Sequence, residues 1–473
     1  GYCCPGRCIN GEENVRKGKL EMYDYDVISI GAGSGGCASA MRAADLGLRV
    51  ALVEGREKGT GGTCINRGCI PTKVLVKSAE VFREAKEASQ YGVRINGVEL
   101  DMKIVQQKKN ALINNLRFGL DNFLIKSRNI DRLNGTARFI DAHTLEITGK
   151  DGTTQVTAEK MIIATGSEPA MIPAFHIDRN KIITSDEALT LQELPQELIV
   201  VGAGALGLEF AYVFSSFGVK VTVVEMMPQV VPIMKEPAIT DEVQAYLKKQ
   251  RIEVCCGSAI KEIVMTDTGR VECNLSDGRT LDADMALVAI GRKLNTDQLN
   301  LEAAGVQMTA KGLVEVDDQM RTTAANIYAA GDIVKGPQLS HKAQREGVVA
   351  AEAAAGLDSG MRYDVIPWAI FMQPEIASVG MTAHDAEEKG IETISGVMHF
   401  KANEKAMTMQ KTTGLIKIVA RKADHTVIGG QIFGPDASVL IAEIAMAMEN
   451  RMTLESMATS IHAHPTLSEI VME

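Results

Sequence analysis

Two stretches of the chain repeat one pattern of apolar and polar residues. A short apolar run, Tyr25 to Ile30 in the first stretch and Leu198 to Val201 in the second, leads into a glycine-rich turn. A run of small and apolar residues follows each turn, and a second apolar run then ends at Glu54 or Glu225. This order predicts a strand, a tight turn, a helix and a second strand in both stretches.

The glycines of both turns have the spacing G-x-G-x-x-G. Such glycines let the backbone approach a pyrophosphate at the N-terminus of the next helix, and the acid that ends the second strand binds ribose hydroxyls. One fingerprint alone is weak evidence, but here strand, helix and acid accompany both. We therefore predict two dinucleotide sites, at Gly31, Gly33, Gly36 and Glu54 and at Gly202, Gly204, Gly207 and Glu225.

Later apolar runs predict the strands that complete these two units. Met161 to Gly166 and Met285 to Gly291 each end in a glycine and are interpreted as returning strands. Ile327 to Ala330 leads into Gly331 and Asp332, an arrangement suited to holding sugar-like hydroxyls, although an ordinary turn is the alternative. A small-residue helix is predicted from Leu339, and its amide dipole could face an electron-rich ring.

The pattern changes from about Pro367 onward. Strand-like runs at Ile376 to Val379, Leu415 to Val419 and Val427 to Ile432 precede a long helix, Ala437 to Met448, that is apolar nearly all round. These features predict an antiparallel sheet with helices and a largely buried surface between subunits.

Composition narrows the functional classes. The 473 residues suffice for about three domains. A formal net charge of −10 argues against nucleic acid or an anionic membrane as the main partner, because both require basic surfaces. No apolar run is long enough to span a bilayer, and nine cysteines do not form a disulfide scaffold at this length. We therefore expect a cytoplasmic protein.

Two cysteines, Cys64 and Cys69, follow directly on the first fingerprint. In a regular helix their α-carbons would lie about 8.6 Å apart, whereas a disulfide requires about 7 Å or less. They can bridge only where the backbone is irregular, and both Gly68 and Pro71 favour such an irregularity. The alternative is a pair of buried structural thiols, but the adjoining fingerprint favours a redox pair.

A histidine near the end of the sequence is a candidate base. His464 precedes a proline, which predicts an extended or turn conformation, and Glu469 is close enough in sequence to orient its imidazole. A structural or surface histidine is the plain alternative. His462 and His464 could also form a metal pair, but no third ligand is evident nearby, and we expect no metal site.

From about Tyr23 to its last residue, the sequence resembles the pyridine nucleotide–disulfide oxidoreductase family. The most specific motifs are GGTCINRGCIPTK at 61–73 and HAHPTLSE at 462–469. The resemblance implies an α/β fold with two Rossmann-like dinucleotide-binding domains and a C-terminal α+β dimerisation domain. The implied boundaries are 23–170 with 296–365 for an FAD-binding domain, 171–295 for an NAD-binding domain and 366–473 for the dimerisation domain.

The resemblance also implies roles for individual residues. The first fingerprint would hold FAD, with Asp332 on the ribityl chain and with Lys73 and Glu209 near the flavin, and the second would hold NAD. Cys64 and Cys69 would form the redox disulfide, and the His464–Glu469 pair would act on it from the other subunit of a homodimer. Further implied cofactor contacts are Thr63, Thr165, Gly166, Gly291, Gly331, Leu339, Ser340 and His341.

The reaction implied is oxidation of a protein-bound dihydrolipoyl group with NAD⁺, on the lipoyl-bearing protein of a 2-oxoacid dehydrogenase or glycine cleavage complex. Glu225 would repel a 2′-phosphate and no Arg or Lys follows within four residues, so NAD is favoured over NADP. The alternatives are an NADPH-dependent reductase of glutathione-like or metal substrates, and a mainly structural subunit. Glu225 and the lack of a C-terminal cysteine pair argue against the reductase.

Some residues depart from the family pattern or lie outside it. Arg67 stands where many relatives have an apolar residue; it could lower a thiolate pKa, but we expect it to face solvent. Val439 stands where the family often has Glu, and we expect it to affect interface packing. Residues 1–22 predict a flexible tail, with a metal half-site or auxiliary dithiol at Cys3, Cys4 and Cys8 as the alternative. Four cysteines are predicted to be packing residues: Cys37, Cys255, Cys256 and Cys273.

Overall fold

A computed structural model describes residues 22–57 and 59–473 of the chain. The predictions made for the first 21 residues, including Cys3, Cys4 and Cys8, lie outside the described residues.

The first fingerprint lies at the centre of a parallel sheet. The elements of this part are β1 (Tyr25–Ile30), α1 (Ser34–Asp45), β2 (Val50–Glu54), α2 (Gly62–Arg67), α3 (Cys69–Glu87), α4 (Met102–Gly119), β3 (Asp131–Asn134), β4 (Thr136–Phe139), β5 (Thr144–Gly149), β6 (Gly152–Ile163) and β7 (Ser167–Pro169). In the sheet, β1 pairs with β2 on one side and with the end of β6 on the other, and β3 extends it beyond β2. The first half of β6 instead joins β5 and β4 in an antiparallel meander.

The second fingerprint lies in a second parallel sheet, beside a three-stranded meander. The elements are β8 (Ile182–Ile183), α5 (Ser185–Ala188), β9 (Glu197–Val201), α6 (Ala205–Ser216), β10 (Lys220–Glu225), α7 (Pro237–Lys249), β11 (Glu253–Cys256), β12 (Ile260–Met265), β13 (Val271–Leu275), β14 (Thr280–Ala283), β15 (Met285–Val288) and β16 (Arg292–Leu294). The strand order in the sheet is β11-β10-β9-β15-β8, and β12, β13 and β14 form the meander.

Two antiparallel strands connect these sheets. The chain leaves the first sheet along β7 and returns along β16, and the two strands pair with each other. After the return, β17 (Ile327–Ala329) pairs in parallel with β6 and so rejoins the first sheet. The helix α8 (Ser340–Ala354) follows and packs on α1.

The C-terminal part is a five-stranded antiparallel sheet with helices. The elements of this part are β18 (Trp368–Ile370), β19 (Glu375–Gly380), α9 (Ala383–Glu388), β20 (Thr393–His399), α10 (Glu404–Thr408), β21 (Leu415–Arg421), β22 (Val427–Gly434), α11 (Ala437–Glu449), α12 (Leu454–Ala458) and α13 (Glu469–Met472). The strand order in the sheet is β18-β19-β22-β21-β20. The predicted fold class, two fingerprint-bearing α/β units followed by an α+β unit, is confirmed.

Element ends differ from the predictions by a few residues. The predicted strand Met161 to Gly166 is the end of the longer β6, and it stops at Ile163 because the chain turns at Gly166, where φ is +68°. Likewise, α8 begins at Ser340, and Leu339 is its N-cap with extended backbone.

The helix α11 buries one face and exposes the other. Leu440, Ile441 and Ile444 are buried against the C-terminal sheet, whereas Val439 and Met446 are 70% and 62% exposed. Exposed apolar side chains on a helix of this domain are what a subunit interface requires. Within the described residues, no helix has the length and apolar character needed to cross a membrane.

The close approach of α1 to the first glycine turn predicts a large effect of one methyl group. A Cβ at Gly36 would lie 1.7 Å from the carbonyl oxygen of Gly31, whereas a Cβ at Gly119 in α4 would meet no atom within 4 Å. Gly36→Ala should therefore destabilise the protein by about 2 kcal/mol or more, whereas Gly119→Ala, at a residue with helical backbone and open space, should leave it as stable or up to about 1 kcal/mol more stable. Thermal unfolding of both variants measures this, and equal melting temperatures would contradict it.

Candidate active site

The helical path breaks between the two cysteines of the redox motif. α2 ends at Arg67 and α3 begins at Cys69, while Gly68 between them has φ −142° and ψ −112°, outside the helical region. The irregular backbone predicted at Gly68 is therefore present. Cys64 and Cys69 are free thiols whose side chains are in hydrogen-bond contact.

The two thiols titrate as a unit. The hydrogen bond from Cys69 lowers the pKa of the Cys64 thiol to about 6, against the opposing effect of burial. The Ser340 hydroxyl and the Lys73 ammonium also lower the pKa of Cys64. The pKa of Cys69 is raised, first because its proton is shared with Cys64 and then by burial. The pair therefore loses its first proton readily and holds its second, so it presents one thiolate near neutral pH.

Ser340 joins the redox motif to the first fingerprint. It is the first residue of α8, and its hydroxyl lies 2.6 Å from that of Ser34, the first residue of α1. The contact with Cys64 was not predicted, because nothing in the local sequence relates residue 340 to residue 64.

An ion pair lies beside the thiols. Lys73, one turn beyond Cys69 on α3, donates two hydrogen bonds of 2.8 Å to the carboxylate of Glu209 on α6. Glu209 is buried and also accepts a hydrogen bond from the backbone N–H of Phe371, and the Lys73 ammonium lies 4.1 Å from the Phe371 ring centroid. One pair thus contacts all three parts of the fold.

Arg67 does not face solvent as expected. Its guanidinium donates to Asp186 on α5 at 2.8 Å and lies 3.6 Å from Glu168 on β7. Glu168 also pairs with Arg56. The expectation was wrong because these carboxylates come from segments about one hundred residues away along the chain. Through Arg67, the C-terminal end of α2 therefore forms ion pairs with the segment that connects the two parallel sheets.

The two fingerprints have the same hydrogen-bond geometry. The Glu54 carboxylate accepts hydrogen bonds from the backbone N–H groups of Ala32 and Arg56, at 3.0 and 2.9 Å. The Glu225 carboxylate accepts hydrogen bonds from Ala203 and Met227, both at 2.8 Å. Each acid is thus held at the end of its strand against its own glycine turn, where a ribose would lie.

Both helices that follow the glycine turns start with free amide groups. The N-cap of α1 is Gly33 and that of α6 is Gly204. Because glycine has no side chain, no N-cap side chain accepts a hydrogen bond from the first backbone N–H groups of either helix. A Cβ at Gly204 would meet nothing within 4 Å, and at Gly33 only the Gly62 α-carbon at 3.9 Å. Both turns thus leave space for a pyrophosphate to approach the backbone, so the residues present fit a dinucleotide at each site.

The other predicted cofactor residues occupy the loops around the first sheet. Asp332, which follows β17, is hydrogen-bonded to the Ser167 hydroxyl and lies 3.9 Å from Arg292. The Thr165 hydroxyl donates to the Asn295 carbonyl at 2.7 Å, and His341 Nε2 lies 2.6 Å from the Pro367 carbonyl oxygen. Three further predicted residues lie at or near element ends: Thr63 in the first turn of α2, Gly166 directly before β7 and Gly291 directly before β16.

The C-terminal histidine has the partner suggested by its spacing. His464 Nδ1 lies 2.9 Å from Glu469 Oε1, and Glu469 Oε2 accepts a hydrogen bond from the Thr466 backbone. The hydrogen bond to Glu469 raises the pKa of His464. The imidazole is 63% exposed, with Nε2 3.4 Å from Glu404, a contact that was not predicted. The geometry suits a base presented to a group outside this chain.

His462 has a carboxylate partner of its own. Its Nε2 lies 2.6 Å from Glu443 on α11, and its Nδ1 lies 3.1 Å from the Ser460 carbonyl oxygen. The two histidines are thus paired separately. Among residues 22–57 and 59–473, no group of three or more His, Cys, Asp or Glu side chains is arranged to hold a metal ion.

Known proteins with the same organisation match nearly the whole chain. Residues 25–347 match the family profile described as pyridine nucleotide-disulphide oxidoreductase, and residues 366–473 match the dimerisation domain of that family. A dihydrolipoyl dehydrogenase of Geobacillus stearothermophilus is 41% identical over 453 residues, covering 95% of both chains. One of Bacillus subtilis is 38% identical over 456 residues, with the same coverage.

Solved structures are also similar to this chain over nearly its whole length. LpdA from Mycobacterium tuberculosis superposes with a TM-score of 0.88 at 28% identity, covering 94% of this chain and 98% of that one. A HOCl-induced flavoprotein disulfide reductase from Escherichia coli, in its Cu(II) complex, has a TM-score of 0.84 at 30% identity, covering 95% and 98%.

The shared proton of the two thiols predicts a pH dependence. Alkylation of Cys64 in the reduced protein should be half-maximal near pH 6, the value to which the hydrogen bond from Cys69 lowers the pKa. Cys69→Ala removes that donor, so the midpoint should rise by one pH unit or more toward the ordinary thiol value of about 8.5. Cys37→Ala, at a buried thiol in α1, is the control. Iodoacetamide labelling followed by mass spectrometry measures the midpoint, and an unchanged midpoint in Cys69→Ala would contradict the assignment.

Proposed function

The chain belongs to the pyridine nucleotide-disulphide oxidoreductase family, and we propose from this premise that it oxidises a protein-bound dihydrolipoyl group to lipoyl with reduction of NAD⁺. As a member of that family it is an oxidoreductase that uses FAD and NAD(H). The observation that carries the proposal is the contact of Cys64 with Cys69 across the break at Gly68. When these two sulfurs are joined as a disulfide, they can exchange with a substrate dithiol, which is oxidised while they are reduced.

The substrate reaction begins with the Cys64–Cys69 disulfide. His464 accepts the proton of one substrate thiol at Nε2, and the resulting thiolate attacks the Cys64 sulfur. This step breaks the bond to Cys69, which leaves as a thiolate. The second substrate thiol then attacks its own mixed disulfide and gives its proton to the departing Cys64 sulfur, which closes the lipoyl ring and releases Cys64. The substrate loses two electrons and two protons, and the two cysteines gain both electrons.

The base is proposed to come from the partner subunit of a homodimer. The dimerisation domain supports a homodimer, and the exposed apolar residues of α11 and the 98% exposed Ile461 provide an interface surface. Ile461 lies three residues before His464, so an interface formed there would bring the imidazole to another chain. Glu469 binds Nδ1 of the imidazole, so Nε2, which lies 3.4 Å from Glu404, is the nitrogen proposed to accept the substrate proton.

Residues of the first sheet are proposed to hold FAD. When bound, FAD passes the two electrons of the reduced dithiol to NAD⁺. The first fingerprint and Asp332 would bind its pyrophosphate, ribose and ribityl groups. Lys73, fixed by Glu209, would place a positive charge beside the thiolate that the pair retains. The return of β17 to the first sheet supports the proposed discontinuous FAD-binding domain at 23–170 and 296–365.

NAD is proposed as the nicotinamide cofactor at the second fingerprint. Glu225 is buried, and its carboxylate faces its own glycine turn. The next two residues, Met226 and Met227, are exposed and offer no positive charge to a 2′-phosphate. The substrate is proposed to be the lipoyl-bearing protein of a 2-oxoacid dehydrogenase or glycine cleavage complex, because dihydrolipoyl dehydrogenases match the chain over 95% of its length.

The proposed function predicts a separation of two half-reactions. Cys64→Ser and Cys69→Ser should each lower dihydrolipoamide turnover at least a thousandfold, because neither variant can form the disulfide. Reduction of bound flavin by NADH should remain in both, since it needs no cysteine. Stopped-flow absorbance and steady-state assays measure the two steps. Cys273→Ser, at a buried packing cysteine, is the control, and lipoamide turnover retained in either active-site variant would refute the proposal.

Cofactor choice is predicted by the environment of Glu225. At equal concentrations, NADH should reduce the flavin at least tenfold faster than NADPH, because the carboxylate repels a 2′-phosphate. Glu225→Gln should narrow this ratio mainly by improving NADPH, whereas Glu253→Gln, on the neighbouring strand β11, should leave it unchanged. A preference for NADPH in the native protein would instead favour a reductase of disulfide or metal substrates.

A further inference from the structure

A fully buried ion pair lies behind the loop that carries Asp332. Lys342 and Glu346, one turn apart on α8, are 1% and 0% exposed, and their charged groups lie 3.3 Å apart.

The pair holds both polar backbone groups of a single residue. The Glu346 carboxylate accepts a hydrogen bond from the Gly331 N–H at 2.8 Å, and the Lys342 ammonium donates to the Gly331 carbonyl at 3.0 Å. Gly331 directly precedes Asp332 and has a φ of +90°. Its peptide orientation, and with it the position of the Asp332 backbone, is therefore fixed by two charge-assisted hydrogen bonds.

Neighbouring residues complete this arrangement. The Tyr363 hydroxyl donates to the second carboxylate oxygen of Glu346 at 2.7 Å. A Cβ at Gly336 would lie 3.1 Å from the Tyr363 ring and 3.3 Å from Lys342 Cε, so the chain after Asp332 also packs directly on the pair. Lys342 thus contacts both ends of the segment 331–336, with Glu346 at Gly331 and Tyr363 at Gly336.

General stability is a poor explanation for such a pair. Desolvating two charges costs several kcal/mol, and apolar residues of similar volume often stabilise a protein as well or better. The pair therefore has a more specific use, and its contacts indicate which. Gly331 and Asp332 lie at the carboxyl end of β17, in the parallel sheet whose central strand leads to the first fingerprint, and ligands of such sheets bind at that edge.

We propose that Lys342 and Glu346, with Tyr363, are positioning residues that fix the two peptide groups on either side of Gly331 in the orientation required for FAD binding. The inference rests on the proposed role of Asp332 in the FAD site. None of the three touches the cofactor; they act through the backbone of Gly331.

FAD titration of the flavin-free protein, followed by flavin fluorescence, tests this inference. Lys342→Met/Glu346→Leu removes both hydrogen bonds to Gly331 and should raise the FAD dissociation constant at least tenfold. Lys342→Gln/Glu346→Gln keeps one donor and one acceptor without charge and should restore affinity to within about threefold of the native protein. Tyr363→Phe, which leaves the ion pair in place, should weaken FAD by a smaller factor and remains informative if the apolar double variant does not fold.

A second buried pair supplies the control. Lys417 and Glu236 lie 2.7 Å apart with mostly buried side chains, between α7 and the C-terminal sheet. Lys417→Met/Glu236→Leu should leave FAD affinity unchanged. Thermal unfolding of each flavin-free variant separates an effect on FAD from one on stability.

The outcomes are distinct. Weak FAD binding by Lys342→Met/Glu346→Leu or Tyr363→Phe, with native-like melting and rescue by the Gln pair, supports the inference. Native FAD affinity in these variants, or equal losses in the control pair, overturns it. A native protein that binds no FAD would refute the proposed function itself.

Discussion

The contact between Cys64 and Cys69 depends on the single non-helical residue Gly68. In a continuous helix through this segment, the two sulfurs would be too far apart to form a disulfide. The break allows them to share a proton, which gives the pair one accessible thiolate. Lys73 and Ser340 act on this thiolate from two different helices, so the orientation of α3 and α8 around the first sheet determines the chemistry of the pair.

Much of this arrangement follows from local sequence. Glycine turns, apolar strands and terminal acids are short-range signals, so both fingerprints and their helices were predicted to within a few residues, and the break at Gly68 could be argued from helix geometry alone. The pairing of His464 with Glu469 was also accessible, because the two residues are close in sequence. The family resemblance implied only that Lys73 and Glu209 lie near the flavin; their pairing was not predicted, since 136 residues separate them.

The long-range charge contacts could not be predicted. Arg67 was expected to face solvent, but it pairs with carboxylates from β7 and α5. Lys342 and Glu346 look like an ordinary solvent-exposed pair one turn apart on a helix, and only the fold shows that they are buried. The periodicity of apolar residues predicts which face of a helix is buried. It does not predict that a charged side chain will be buried because it forms a hydrogen bond with a distant backbone group.

The two connecting strands have a consequence for how this chain can change. Because Pro169 pairs with Arg292, the second nucleotide-binding unit enters and leaves the molecule at adjacent points. Such a unit is topologically an insertion into a molecule whose remaining parts close on each other through β17 and β6. The unit that carries the second fingerprint, proposed to bind the nicotinamide dinucleotide, can therefore change in evolution while the fold around the dithiol keeps its own strand order.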